Sequence, residues 1–171
     1  MPHGVHEKFR LPQLDEHVDM SGGAMSIGRY FTEMLDPAMN WDDVAKMVRE
    51  WNGQFCLKGV MSPGDAKRAV EIGCTGIVLS NHGGRQLDGS RAPFDQLAEI
   101  MDAVGGRIDV MMDGGVQRGT HVLKALSLGA KAVGLGRFYL YALGAAGQAG
   151  VERALGLLRT EVERDMRLMG A

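Results

Sequence analysis

The stretch SNHGGRQLDG, residues 80–89, places a histidine and an arginine on a glycine-rich segment. It directly follows TGIVL, an apolar and β-branched run that predicts a buried strand. A single histidine on a loop is more often solvated or structural than catalytic. Here His82 and Arg85 put a base and a cation three residues apart, and the glycines let the backbone approach a ligand closely. The segment is therefore a candidate for ligand binding and proton transfer.

Polar side chains also follow the other apolar runs of the chain. Lys58 ends QFCLK, Asp113 ends RIDVMMD and Arg137 follows KAVGLG. Each has a simple explanation: Lys58 can be solvated, Asp113 can cap the next helix, and Arg137 can pair with a surface carboxylate. The N–H groups of Gly114 and Gly115 suit a plain turn or a phosphate, which Arg137 could also bind. Because active sites of parallel α/β proteins lie at the C-terminal strand ends, the shared placement favours one common site.

The elements that must position these residues alternate between strands and helices. Apolar runs predict strands near 54–58, 75–80, 108–113 and 131–135. Periodicity and capping residues predict helices around them, the first over 41–51 and the last from near Gly147. In the helix PFDQLAEIMDAVG, the residues predicted to face inward are Phe94, Leu97, Ile100, Met101 and Val104. This alternation is typical of a parallel sheet covered by helices, and a weak repeat favours a (β/α) barrel or a doubly wound sheet.

The number of units is too small for a closed barrel. An eight-fold barrel needs roughly 250 residues, whereas this chain of 171 residues supplies four strand–helix units after one helix. We therefore expect residues 41–171 to form half a barrel and residues 1–40 to form a loop segment in front of it. The histidines of that segment are irregularly spaced, so a mobile loop is favoured over a metal site, and no metal ligand is predicted.

Composition indicates a soluble globular protein, because 45% of the residues are hydrophobic and the net charge is −2. The chain has no basic excess, so nucleic acid is not an expected partner. Cys56 and Cys74 lie in apolar runs and are expected to be buried free thiols of a reducing compartment. The N-terminal stretch MPHGVHEKFR has no apolar core, so a signal peptide is not expected and we expect a cytoplasmic protein.

Four motifs, LKG, SNHGGRQLDG, DGGVQRG and LGR followed by YAL, resemble those of one family in both type and order. They are similar to the FMN-dependent α-hydroxy acid dehydrogenases and oxidases, the family of glycolate oxidase, mandelate dehydrogenase and L-lactate dehydrogenase. Within it, YALGAAGQAGV looks most like the bacterial quinone-linked L-lactate dehydrogenases. The resemblance implies that this chain is the C-terminal half of an FMN-binding TIM barrel. It also implies FMN-dependent oxidation of a small, lactate-like L-2-hydroxy acid to the 2-oxo acid.

The resemblance implies a role for each residue singled out above. His82 is similar to the active-site base, with Asp113 stabilising the imidazolium, and Arg85 is similar to the clamp on the substrate carboxylate. Lys58 would lie by flavin N1 and O2, where it offsets developing negative charge, and Ser80 would bond the ring edge. Asp113 also counts among the cofactor-binding residues. The FMN phosphate would be held by loops after the last two strands, through Gly114, Gly115, Gln117, Gly136 and Arg137.

Two features depart from the pattern of the family. Gln117 stands where the family usually has arginine, so the phosphate is expected to be held less tightly unless the neighbouring Arg118 turns toward it. The N-terminal half-barrel, with its substrate-binding tyrosines, is not among these residues, so we expect activity to need that half. The alternative is a catalytically silent half-barrel that binds phosphate or FMN, or that self-associates.

Assembly and location follow from the same comparison with a whole barrel. Four strands taken from an eight-stranded barrel have two open edges and one uncovered apolar side, which predicts a homo-oligomer or a complex with a complementing N-terminal half. Leu57, Val78, Met111 and Val133 lie in these strands, and those of them that point to the uncovered side would meet water in a monomer. Membrane-bound members of the family touch the bilayer with the loop that corresponds to residues 1–40, which leaves open a peripheral position at the inner membrane face.

Overall fold

The computed structural model describes residues 24–171, and the chain divides into two units after Asp43. Helix α1 (Ala24–Met34) lies in the first unit, and α2 (Trp41–Trp51) crosses the division. The elements that follow are β1 (Cys56–Val60), α3 (Pro63–Glu71), β2 (Gly76–Leu79), a 3-10 turn (His82–Gly84), α4 (Pro93–Val104), β3 (Asp109–Met112), α5 (Gly119–Ser127), β4 (Ala132–Val133) and α6 (Arg137–Met169).

The four strands form one sheet in the order β1-β2-β3-β4, and every neighbouring pair is parallel. This confirms the predicted architecture, in which each strand is followed by a helix and then by the next strand of the sheet. The register pairs Ile77 with Val110 and Leu79 with Met112. These four side chains are at most 2% exposed, and with Leu97 of α4 they belong to the apolar core. Each contributes about 1.5–3 kcal/mol when fully buried.

The other face of the sheet is more accessible to water. Register places Lys58, Val78 and Met111 at one level across three strands, and Ala132 continues that level on β4. Lys58 and Ala132 are exposed, while Val78 and Met111 are half-buried. The prediction of an apolar side without full cover is confirmed for Val78 and Met111 in the part of the chain that the structure describes.

The helix boundaries follow from local capping. Ser62 Oγ accepts a hydrogen bond from the backbone N–H of Asp65 at 3.0 Å, and Pro63 takes the first helical position of α3, as predicted. Asn40 Oδ1 accepts the N–H of Asp42 at 2.8 Å at the start of α2. Gly73 follows the end of α3 with φ +93°, a conformation that favours glycine.

Several sequence predictions need correction. Residues 1–40 were expected to be a loop, but α1 occupies Ala24–Met34, where apolar residues recur at helical spacing; residues 1–23 and the histidines among them lie outside the described residues. Phe94 was predicted to face inward but is 38% exposed. The buried face of α4 begins at the preceding residue, Pro93, and continues through Leu97 and Ile100. Cys56 and Cys74 are free as predicted, although Cys56 is exposed.

Helix α6 begins ten residues before the predicted start, at Arg137 instead of near Gly147. The backbone departs from helical geometry at Ala146 and Gly147, so the predicted start coincides with a kink between two helical segments. The first segment was missed because its sequence, RFYLYALGA, carries aromatic and apolar residues on every side.

Among the described residues, no helix combines the length and the apolar character needed to cross a bilayer.

Candidate functional site

Lys58, Ser80 and Asp113 meet where the first three strands lie side by side. Lys58 Nζ donates to Ser80 Oγ at 2.7 Å and forms an ion pair with Asp113 Oδ2 at 2.5 Å. Ser80 directly follows β2 and is 4% exposed, whereas the side chain of Lys58 is 52% exposed. The prediction that Lys58 ends its strand is wrong. It lies within β1, and a register irregularity between Lys58 and Val60 separates it from the strand end.

The segment that carries His82 is a tight 3-10 turn built on the end of β2. Ser80 Oγ accepts the backbone N–H of His82 at 3.1 Å, and Asn81 Oδ1 accepts that of Gly83 at 2.9 Å. His82, Gly83 and Gly84 have φ values of +57°, +69° and +71°. Positive φ is uncommon for residues other than glycine, although histidine adopts it more often than most, and such backbone conformations cluster at functional sites. Glycine at the next two positions allows the turn to continue without a Cβ penalty.

Arg137 connects this turn to the start of α6. Its Nη2 donates to the carbonyl of Gly83 at 3.0 Å, across 54 residues of sequence. A Cβ at Gly83 would lie 3.1 Å from the same nitrogen, so the absence of a side chain permits the contact. The loops after β2 and β4 are therefore joined at the site by one guanidinium.

A glycine cradle, Gly114 and Gly115, follows β3. Gly114 has φ +100°, and a Cβ there would lie 3.3 Å from the Cγ of Pro93. Gly115 has φ +71°, and a Cβ there would meet nothing within 4 Å. A Cβ at Gly136, at the start of α6, would also meet nothing within 4 Å. Backbone N–H groups in such turns form concave sites for anions.

These residues surround one cavity of about 390 Å³. It takes in every predicted site residue except Ser80, which lies beneath Lys58: the lining includes Lys58, His82, Arg85, Asp113, Gly114, Gly115, Gln117, Gly136 and Arg137. Three basic side chains line the cavity with one carboxylate, so the cavity suits an anion. Its remaining wall, which sequence reasoning missed, consists of Gly83, Val116, Phe138, Leu140 and Tyr141. Phe138, Leu140 and Tyr141 could have been found from their position just after Arg137, the predicted phosphate ligand. They were missed because the last helix was predicted to begin near Gly147 and not at Arg137.

The cavity fits a cofactor that is part apolar ring and part phosphate. Its size lies within the range of small-molecule sites. Phe138, Leu140 and Tyr141 offer apolar surface, while the glycine cradle and Arg137 offer donors to an anion. Among the described residues, no group of three or more histidine, cysteine or acidic side chains is placed to hold a metal ion.

The structure gives Asp113 a partner that the sequence did not predict. In the described part of the chain, no ion pair or hydrogen bond joins the His82 ring to this carboxylate, which pairs with Lys58 instead. A lysine on a flexible stem can reach across the intervening strand. His82, by contrast, lies three residues beyond the end of β2, in a turn with its own backbone constraints.

Arg118 does not take the place of the missing phosphate arginine. Its guanidinium forms a bidentate pair with Glu161 of α6, at 3.0 Å from Nε and 2.8 Å from Nη2 to Oε1. The hydrogen bonds from Arg118 and from the N–H of Gly119 lower the pKa of Glu161 to about 2. Gln117 therefore lines the cavity without help from Arg118. The backbone N–H of Gln117 donates to His121 Nδ1 at 3.3 Å.

A sequence model described as "FMN-dependent dehydrogenase" matches residues 3–171. The chain belongs to this family. It is 48% identical over 161 residues to an L-lactate dehydrogenase (cytochrome) of Wickerhamomyces anomalus, which covers 91% of the chain and 28% of that protein. It is 42% identical over 170 residues to an L-lactate oxidase of Nostoc sp., covering 99% of the chain and 47% of the oxidase.

The fold is shared with solved structures of the same kind. A mandelate oxidase with benzoyl-formic acid matches 78% of the chain at a TM-score of 0.74 and 47% identity, covering 40% of the oxidase chain. The four parallel units are thus the C-terminal half of a TIM barrel. The chain spans less than half the length of each of these three relatives.

Proposed function

We propose that this chain supplies the FMN-binding C-terminal half of an enzyme that oxidises a small L-2-hydroxy acid, lactate-like in size, to the 2-oxo acid. The N-terminal half of the barrel would come from a second chain or from the same longer protein. The observation that carries the proposal is that a base, a carboxylate-binding cation and a glycine cradle share one cavity. Family membership supports FMN as the cofactor.

FMN, when bound, would accept the two electrons that leave the α-carbon of the hydroxy acid. The substrate also loses two protons, one from the α-carbon and one from the hydroxyl group. His82 is exposed in the cavity, where it can take one of them as a general base. Arg85 is exposed and lines the same cavity, where its planar fork of donors would bind the substrate carboxylate.

Lys58 and Asp113 set the charge of the cavity between them. In this role the ammonium of Lys58 stabilises negative charge that develops beside it, and the hydrogen bond to buried Ser80 fixes its direction. Asp113 uses Oδ2 for Lys58, which leaves Oδ1 as an acceptor for the imidazolium after His82 takes a proton. Asp113 would thus serve two cations in turn.

A second candidate is a half-barrel without catalytic activity that binds FMN or phosphate, or that self-associates. The half-buried apolar residues on the open face of the sheet favour association with another chain.

Reconstitution with FMN separates the two candidates. The chain would be mixed with a separately produced N-terminal half from a full-length relative, giving the completed barrel, and dialysed against FMN. The proposal predicts a yellow complex with one FMN per barrel and turnover of L-lactate with an artificial electron acceptor. A yellow complex with no turnover of any 2-hydroxy acid would favour the silent half-barrel. A colourless protein would contradict both forms of FMN binding.

A further inference from the structure

Arg137 contacts the turn that carries His82 and lines the same cavity as the glycine cradle. Its Nη2 donates to the carbonyl of Gly83, in the turn that carries His82. The same side chain lines the cavity together with Gly114, Gly115 and Gly136. A guanidinium has five N–H donors, so one bond to Gly83 leaves four for an anion in the cradle.

The turn that Arg137 contacts has little other support from outside its own segment. The bonds to Ser80 Oγ and Asn81 Oδ1 come from the two residues that precede it. Of the three successive residues with positive φ, only His82 carries a side chain, and a non-glycine residue in this region needs support from neighbouring groups. Among the described contacts of the turn, Arg137 supplies the hydrogen bond from a distant element.

We infer that Arg137 is a positioning residue for His82, and that a phosphate group in the glycine cradle fixes the His82 turn through this guanidinium. An anion that binds the free donors of Arg137 favours the rotamer in which Nη2 contacts Gly83. A bound anion can shift the balance between this rotamer and the other rotamers of Arg137 only if it interacts more strongly with one of them. The guanidinium, which the anion and the Gly83 carbonyl share, provides that difference. The inference rests on the proposed function, because it takes His82 as the base and the cradle as the phosphate site.

The chain offers a matched pair of substitutions for the contact. Gly83 and Gly84 have nearly equal φ values, +69° and +71°, so alanine introduces the same kind of backbone strain at either position. Only at Gly83 would the new Cβ lie against Arg137, at 3.1 Å from Nη2; at Gly84 it would meet nothing within 4 Å. Gly83→Ala therefore disturbs the guanidinium contact, and Gly84→Ala controls for strain.

A third variant, Arg137→Lys, keeps a cation in the cradle but removes the fork that can serve two acceptors at once. It is expected to bind phosphate more weakly, by about tenfold for the loss of one charge-assisted bond. The three donors of an ammonium radiate from one nitrogen, so the lysine is not expected to span the phosphate and the Gly83 carbonyl as the wider guanidinium does. Because this substitution adds no backbone strain, it also tests the inference if Gly83→Ala fails to fold.

The test follows the imidazole of His82 by NMR while inorganic phosphate is added to the full 171-residue chain. Histidine is labelled with ¹³C, the His82 signal is assigned with His82→Gln, and phosphate binding is measured independently from the ³¹P line width. We expect phosphate to shift and sharpen the His82 signal in the original chain and in Gly84→Ala. The response should be lost in Gly83→Ala and in Arg137→Lys at phosphate concentrations that saturate each variant.

The remaining outcomes separate the inference from the proposed function. Phosphate binding that leaves the His82 signal unchanged would overturn the coupling and leave the phosphate site intact. An equal response in the original chain and in Arg137→Lys would also overturn it, since the bound anion would then act on His82 without the guanidinium fork. Absence of phosphate binding would contradict the proposed cofactor site, and the inference with it.

Discussion

Lys58 and Asp113 form an ion pair at 2.5 Å across β2, the strand that lies between their own. The side chain of Lys58 is 52% exposed, so the pair contributes at most about 1 kcal/mol to stability. Stability alone is thus a weak reason for this arrangement. The pair instead keeps a cation aimed into the cavity, where the proposed reaction develops negative charge.

Lys58→Met in the completed barrel is expected to lower kcat by about 10²–10³-fold, because it removes a fixed charge beside the reacting centre. Steady-state turnover of L-lactate at saturating FMN measures the effect. Lys46→Met is the matched control, since Lys46 pairs with Glu50 on the surface of α2 at 3.8 Å. A Lys58→Met enzyme as fast as that control would show that Lys58 has no part in catalysis.

Gly119→Ala is expected to lower the free energy of unfolding by about 1–3 kcal/mol through overpacking. A Cβ at Gly119 would lie 2.7 Å from the backbone nitrogen of Val162, where α5 and α6 cross. Gly156→Ala is the control in the same pair of helices, because a Cβ there meets nothing within 4 Å. It should stabilise α6 by up to about 1 kcal/mol. Urea unfolding measures both, and a Gly119→Ala midpoint at or above the original would contradict this packing.

The stabilising contribution of Glu161 is expected to be lost in acid. Its pKa in the folded chain is about 2, held down by Arg118 and the N–H of Gly119, whereas an unfolded glutamate titrates near ~4.3. Because the folded pKa is the lower one, its contribution is complete above the unfolded pKa and is lost as pH falls toward 2.

Glu161→Gln removes this proton linkage. The difference in unfolding midpoint between the original chain and Glu161→Gln should therefore shrink as pH is lowered from about 5 to about 2. Glu163→Gln, which breaks the exposed pair with Arg159 on the same helix, serves as the control. A difference that stays constant across this range would contradict the lowered pKa of Glu161.

The chain on its own is expected to associate. In the described sheet, β1 and β4 each have one neighbour, so both edges are open, and Val78 and Met111 face the side that lacks full cover. Light scattering at micromolar concentration should give a mass above 18.5 kDa, or the chain should bind an added N-terminal half. A monodisperse monomer that melts cooperatively and does not bind the added N-terminal half would contradict this expectation.

Much of the fold could be predicted because the strands are apolar on both faces and glycines end the helices between them. The first segment of α6 could not, since RFYLYALGA has no polar side to reveal its period. The site residues were found because parallel strands bring their ends together, whatever their separation in sequence. Their partners were not, because the reach of Lys58 to Asp113 and of Arg118 to Glu161 depends on side-chain geometry across elements.

The most direct test of the proposed chemistry is anaerobic mixing of the FMN-loaded completed barrel with L-lactate. The account predicts that the flavin absorbance bleaches with L-lactate and not with D-lactate, with pyruvate formed in equal amount. His82→Gln should slow the bleaching by about 10²–10⁴-fold without loss of bound FMN. Bleaching of the His82→Gln protein at nearly the original rate would show that His82 is not the base, and no bleaching of the original by any L-2-hydroxy acid would contradict the proposed activity.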